Sequence, residues 1–277
     1  MKREIEKIVT GVKSSDGDGV QLTRIIASPE LDILDPFLLM DAFSSDKPQD
    51  YIGGFPAHPH RGFETVTYML AGQMRHKDSV GNSGVIKAGG VQWMRAGKGI
   101  IHSEMPEQEE GLLAGFQLWV NLPASHKMAE PDYQEVTKDD IPEEVQGDDC
   151  HIKVIAGRTS KGTQGVINND LVDPFYWDIN LAENTKFSDK LPQGHNAFIY
   201  VIEGELLVEG TKILAKQLAV LSDGDAIEVQ TKTLQSRFLL IAGRPLNEPV
   251  ARGGPFVMNT REEIQQAFAD YESGQLA

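Results

Sequence analysis

An all-β fold made of two copies of one domain is what the sequence predicts, and three observations carry the prediction. Short apolar stretches alternate along most of the chain with glycine, proline and Asp/Asn turns. Glycine is abundant, 27 of 277 residues, as turn-rich β proteins require. Finally, ETVTYMLAG (64–72) lines up with NAFIYVIEG (196–204), pairing Tyr68 with Tyr200 and Gly72 with Gly204, and each copy leads to a glycine turn, RAGKGIIHSE or LSDGDAIEVQ.

Taken in order, the expected strands are QLTRIIAS, ETVTYML, GVIKAGGVQWM, GFQLWVNL, CHIKVIAG, FYWDINL, NAFIYVIEGELLVEG, KQLAVLSDGDAIEVQ and SRFLLIAG. Their β-branched and aromatic residues suit a pleated, half-buried surface. Residues 123–149 are rich in Pro, Asp and Glu and read as a solvated connector. Domains are therefore expected at 1–135 and 136–277. The segment NTREEIQQAFADYESG is the clearest helix: Thr260 and Glu263 make a capping box, and Ile264, Ala267, Phe268 and Tyr271 share one face for packing on a sheet.

Charge and composition then remove several classes of function. A formal net charge of -15 and a pI near 4.9, without any Lys/Arg cluster, argue against direct nucleic-acid binding, which needs a concentrated positive face. Cys150 is the single cysteine, so an intrachain disulfide and a cysteine-rich zinc site are both excluded. Beside His151 it lacks an identifiable third group for nucleophilic catalysis, so a buried strand cysteine is expected. The N-terminal charges precede no apolar run, and no later segment supplies a membrane helix, so the expectation is a soluble cytoplasmic protein.

The chemistry concentrates in the first half. Alternate residues of a strand point to one face, so His58 and His60 can aim both imidazoles at one point. His102 and Glu104 repeat that spacing. Two such pairs facing each other across a sheet interior make three imidazoles and a carboxylate, a donor set for a first-row divalent ion with positions left open. Glu64 competes for the carboxylate position because it shares the parity of His58 and His60; alternatively it accepts a hydrogen bond and orients a ligand imidazole. The same register in the second copy gives Lys190, Pro192, Val229 and Thr231, so only the first copy can hold metal this way. His76, His126, His151 and His195 have no partner at metal spacing and are expected at the surface or in turns. RAGKGI lacks the spacing of a phosphate loop and reads as the turn that delivers His102. In GFQLWVNLP, Phe116, Leu118 and Val120 share one strand face and Gln117 with Trp119 the other, a pattern expected of core packing rather than a stacking platform.

Taken together, HPHRGFETVTYMLAGQ, GGVQWMRAGKGIIHSEMP, GFQLWVNLP and GPFVMNT resemble the pirins of the cupin superfamily, in order and over nearly the whole chain. The general cupin pattern G-x5-H-x-H-x3-E-x6-G is met at His58, His60 and Glu64, with the first glycine displaced and Gly72 one residue late. In the second motif Gly97 stands where proline is usual. The resemblance implies a bicupin: two jelly-roll β-barrels face to face, with the C-terminal helix appended. It also implies one divalent metal ion, iron(II) before manganese, nickel, cobalt or zinc, held in the N-terminal barrel by His58, His60, His102 and Glu104, with Glu64 outside the ligand set. Some pirins cleave the flavonol quercetin with dioxygen, whereas others are described as regulators that bind transcription factors or metabolic enzymes. The expected activity is flavonol 2,3-dioxygenation with loss of carbon monoxide, with Glu104, or failing that Glu64, as the base. The alternative is a non-catalytic iron protein with a protein partner. A monomer is expected, because two packed barrels satisfy each other's faces.

Overall fold

The structure is a computed structural model that describes residues 1–277. Its strands are β1 (Ile5–Thr10), β2 (Val12–Asp16), β3 (Val20–Ile26), β4 (Phe37–Ser45), β5 (Phe55–His60), β6 (Phe63–Ala71), β7 (Gln73–Asp78), β8 (Ser83–Lys87), β9 (Val91–Arg95), β10 (Ile100–Pro106), β11 (Leu113–Asn121) and β12 (Asp132–Val136). They continue with β13 (Glu143–Gln146), β14 (Cys150–Ala156), β15 (Phe175–Leu181), β16 (Lys186–Lys190), β17 (Asn196–Glu203), β18 (Glu205–Val208), β19 (Thr211–Leu214), β20 (Gln217–Leu221), β21 (Ala226–Gln230), β22 (Ser236–Gly243), β23 (Ala251–Gly253) and β24 (Phe256–Met258). A single α-helix, α1 (Arg261–Glu272), follows. No helix is long and apolar enough to cross a membrane.

Two compact units divide the chain. One gathers residues 12–27, 37–138 and 246–277; the other gathers 1–11, 28–36 and 139–245. Each takes in segments from both halves of the chain. The histidine-bearing unit has a seven-stranded sheet, β12-β9-β6-β11-β4-β3-β2, and a four-stranded sheet, β5-β10-β7-β8. In the second unit the orders are β1-β20-β17-β22-β15-β14-β13 and β16-β21-β18-β19. The two plans correspond strand for strand, with β6 matching β17, which is the duplication visible in 64–72 and 196–204. Gly72 and Gly204 both sit at φ +78°, a left-handed turn that a Cβ disfavours.

The connector expectation needs correcting. Residues 132–136 form β12, paired with β9, and residues 143–146 form β13, paired with β14. Each is an edge strand, where backbone pairing suffices and polar side chains keep contact with water, so charge-rich composition does not exclude strand. Within 123–138, Lys127 is fully buried and donates to the carbonyls of Gly62 (2.8 Å) and Val257 (2.9 Å) and to Asn121 Oδ1 (2.8 Å). These three bonds satisfy the ammonium, although burial still lowers its pKa to about 8.

The helix forms as expected. Thr260 accepts from the Glu263 N–H while Glu263 accepts from the Thr260 N–H. Ile264 and Ala267 are buried with Phe256, Met258 and Leu276. Phe268 and Tyr271 are half-exposed and set their rings against Phe256 at 5.0 and 6.4 Å.

The second unit is filled. Trp177, Phe187, Leu191, Ile199, Val229, Phe238 and Leu240 belong to one apolar cluster. On β21 Val229 is core, paired with Phe187 of β16, so hydrocarbon occupies the interior that the other unit leaves open. Cys150 is part of this cluster, and burial pushes its thiol up to about 11, which suits packing and not nucleophilic attack.

Candidate metal centre

The site is built on β5 and β10, which pair antiparallel with His58 opposite His102 and His60 opposite Ile100. RAGKGI is the turn into β10, closed by the Gly99 N–H on the Ala96 carbonyl at 3.0 Å. Alternation on β5 and cross-strand pairing with β10 bring three imidazoles together, with ring centroids 4.4 to 5.0 Å apart. One nitrogen from each lies within 4.8 Å of the others.

The hydrogen bonds define the protonation. His58 Nδ1 is 2.8 Å from the Pro56 carbonyl, and His60 Nδ1 is 3.4 Å from the Pro255 carbonyl. A carbonyl can only accept, so each Nδ1 carries the proton and each Nε2 of a neutral ring keeps a lone pair. Burial drives His60 to about pKa 3 and holds His102 well below the ordinary histidine value, so both rings stay neutral. The two Nε2 atoms of His58 and His60 nevertheless face each other at 3.1 Å. Two lone pairs at that distance repel unless a cation lies between them. Both His102 ring nitrogens are buried without a hydrogen-bond partner. Donor atoms about 3 Å apart fit bonds of about 2 Å to a first-row ion, so the residues fit a divalent metal.

Glu104 follows a register break on β10, between His102 opposite His58 and Glu104 opposite Phe55. It is buried, lines the same cavity, and accepts a hydrogen bond from the Thr67 hydroxyl at 2.9 Å. Burial raises its carboxyl pKa, so the anion needs a positive charge nearby.

Glu64 is placed elsewhere. The chain turns at Gly62 (φ +89°) between β5 and β6, and strand parity does not carry through a turn. On β6, Thr67 faces the cavity, whereas Glu64 lies on the opposite face and accepts from the Trp93 indole N–H at 2.8 Å.

The cavity measures about 870 Å³. Leu22, Leu38, Phe43, Phe55, Met74 and Trp119 give it apolar walls. Trp119 presents its edge to His60 (5.2 Å between centroids) and tilts against Phe63 at 4.3 Å. This corrects the core-packing expectation for one face of that strand. Phe116, Leu118 and Val120 are core, but Gln117 and Trp119 form cavity wall. The signal was a polar residue two positions from a tryptophan on a strand otherwise apolar. At another part of the wall Arg24 forks onto Asp41 (3.0 and 2.8 Å) and reaches Asp16 at 3.0 Å; these carboxylates keep it protonated.

Two histidines expected at the surface or in turns are buried, although His195 does close a turn with its N–H on the Pro192 carbonyl. His76 sits on β7 with Nε2 2.6 Å from Glu135, and His195 contacts the Asp173 carbonyl at 3.2 Å. Both find carboxylate or carbonyl partners contributed by other segments, which spacing along the chain cannot reveal. His126 and His151 remain outside the core.

The C-terminal segment supports the loops around the histidine cluster. Pro255 holds His60, the Arg61 guanidinium meets Asp270 at 2.6 Å, and a Cβ at Gly62 would lie 2.0 Å from the Val257 carbonyl. Arg61 and Lys127 carry no recognisable ligand spacing, so sequence reasoning passed over them.

Comparison with known proteins gives the family. The family model described as Pirin matches residues 19–120, and the one described as Pirin C-terminal cupin domain matches 176–277. The chain is 52% identical over 272 residues to a pirin-like protein of Caulobacter vibrioides, covering 98% of each. It is 43% identical to human pirin over 277 residues, covering 98% of this chain and 93% of that one. A crystal structure described as quercetin 2,3-dioxygenase from Acinetobacter baumannii superposes with a TM-score of 0.92 at 34% identity, covering 100% and 99%. With both family models matched in order and relatives aligned over almost its full length, the chain belongs to the pirin family of two-domain cupins.

Proposed function

We propose that the protein is a metal-dependent dioxygenase that opens a flavonol or a similar enolisable aromatic compound with dioxygen, releasing carbon monoxide. The observation that carries this reading is the pair of Nε2 atoms of His58 and His60 held 3.1 Å apart beside His102 at the wall of an apolar cavity. His58, His60, His102 and Glu104 would hold the ion, iron(II) in our reading. When bound, the ion supplies Lewis acidity toward a substrate oxyanion and a redox partner for dioxygen.

The chain's own groups do the rest. The carbonyls of Pro56 and Pro255 fix both imidazole tautomers before any ion arrives, so no proton needs to move on loading. The Glu104 carboxylate, whose proton affinity is raised by burial, accepts the proton of the flavonol 3-hydroxyl. Phe43, Phe55 and Trp119 offer flat apolar walls to a planar ring system and keep bulk water out. Two carbon–carbon bonds of the heterocycle break, both oxygen atoms enter the depside product, and the excised carbon leaves as carbon monoxide. The Acinetobacter protein's description supports the substrate class, at 34% identity.

The test measures metal content, oxygen uptake and carbon monoxide release together. Wild-type protein is expected to hold one ion and turn over a flavonol at about 1 s⁻¹ or faster, within the usual range of enzyme rates. His60→Ala should lose ion and turnover together. Metal-free His60→Ala that still consumed oxygen with quercetin would overturn the mechanism. One ion per chain with turnover orders of magnitude slower would instead favour a non-catalytic, partner-binding role.

A further inference from the structure

We propose that Thr67 and Gln117 form a directional hydrogen-bond relay that aims the Glu104 carboxylate, making both of them positioning residues of the metal centre. The inference rests on the reading of His58, His60, His102 and Glu104 as that centre.

Proton counting gives the direction. The Thr67 hydroxyl lies 2.9 Å from Glu104 Oε1 and 2.7 Å from Gln117 Oε1. A hydroxyl has one proton to donate and lone pairs to accept with. A carboxylate that serves as a ligand is ionised and can only accept, so the Thr67 proton belongs to Glu104. The amide must then donate, so its two ends exchange places and the NH₂ takes the position Oε1 holds beside Thr67; the ends are alike in shape, so the same pocket accommodates that orientation. The relay runs Gln117 N–H to Thr67 Oγ1, and Thr67 O–H to Glu104 Oε1. It leaves Glu104 Oε2 unused by the relay.

The fold explains why Glu104 needs such a hold. His58, His60 and His102 are fixed by strand pairing and, for the first two, by carbonyls. Glu104 comes just after a register break in the β10–β5 pairing, where a strand bends and side chains are re-aimed. Its direction is therefore not set by β5. Thr67 and Gln117, by contrast, are directly opposite each other on β6 and β11, central strands of the seven-stranded sheet. Thr67 is buried and β-branched, with few rotamers open to it. A rigid pair on one sheet thus adds a second hold on a carboxylate whose strand is kept in register at that point by β7 alone, with Glu104 opposite His76.

Cobalt(II) serves as the probe, because its visible absorption reports ligand number and type independently of turnover. Metal-free full-length protein is titrated against a competing chelator. Thr67→Val, which keeps the shape and removes the hydroxyl, is expected to weaken cobalt binding about 10- to 100-fold, the usual cost of losing a group that orients a ligand. Its absorption spectrum should also change. Thr67→Ser should restore both affinity and spectrum, which a purely space-filling role for the threonine would not predict. Gln117→Leu should shift affinity and spectrum in the same direction by less, and it serves as the test if Thr67→Val fails to fold. Wild-type affinity and spectrum in folded Thr67→Val, or in Gln117→Leu where it stands in, would overturn the relay alone. Failure of wild-type protein to take up one cobalt ion would overturn the metal-centre reading, and the relay with it.

Discussion

Each candidate ligand is defined by what its other atoms touch. His58 and His60 are oriented because their Nδ1–H groups have carbonyl partners, which leaves both Nε2 lone pairs aimed inward. The two carboxylates differ for the same kind of reason: Glu104 lines the cavity, while Glu64 is engaged by the Trp93 indole. Glu104→Gln is accordingly expected to lower metal affinity about 10- to 100-fold, whereas Glu64→Gln, which can still accept from Trp93, should leave the metal content at wild-type level. Elemental analysis of both variants after identical purification checks this. A pH effect also belongs to single residues. His60 and His102 stay neutral in the fold, His60 down to about pH 3, but take up protons near 6.5 when unfolded. Below about 6.5 the unfolded state therefore binds more protons than the native state, and stability falls as pH drops toward 3. Each group contributes a slope of at most about 1.4 kcal/mol per pH unit. Urea unfolding of metal-free protein from pH 7 to pH 4 should show this decline, and replacing His60 with a neutral, non-titrating residue should flatten it.

Among the elements, β5 and β10 present the candidate ligands, but other segments hold them in place. Lys127, between β11 and β12, joins Gly62, Asn121 and Val257 through three buried hydrogen bonds. Lys127→Met removes the charge and takes a buried donor from the Gly62 and Val257 carbonyls and from Asn121 Oδ1, which keeps only the Leu122 N–H, so the expected cost is about 3 to 5 kcal/mol in urea unfolding, with weaker metal retention. Gly62 is constrained from two sides, by φ +89° and by the Val257 carbonyl, so Gly62→Ala must displace β24 or the β5–β6 turn. At the far end of the same segment, Thr260→Ala removes half of a capping box, for about 1 kcal/mol, and metal content should not change. The contrast between these variants separates support of the site from support of the helix. The helix was legible in the sequence because its capping and 3.6-residue periodicity are local. The edge strands β12 and β13 were not, because an exposed edge imposes no apolar pattern on its residues.

Across the whole molecule, one architecture is used in two ways. Both units repeat the same seven-plus-four strand plan, yet Phe187, Val229 and Phe238 pack the interior of one while the other keeps a cavity of about 870 Å³. Phe238→Ala should therefore cost about 3 to 5 kcal/mol of stability and leave one ion per chain. Metal added at 100 times its dissociation constant should stabilise the native state by about 2.7 kcal/mol. Hydrogen exchange should locate the direct protection in residues 12–27, 37–138 and 246–277. Sequence alone determined the all-β class, the internal repeat, the first copy as the one that carries the histidine cluster, and the His-x-His geometry. All of these depend on alternation within a strand or on comparison of the two copies. Only the tertiary structure decided the tautomers of His58 and His60, the separate placements of Glu104 and Glu64, the Trp119 and Gln117 wall, and the return of the C-terminal segment to the metal loops. Those features depend on register between strands and on contacts between residues up to about two hundred positions apart, which close packing fixes and local spacing does not encode.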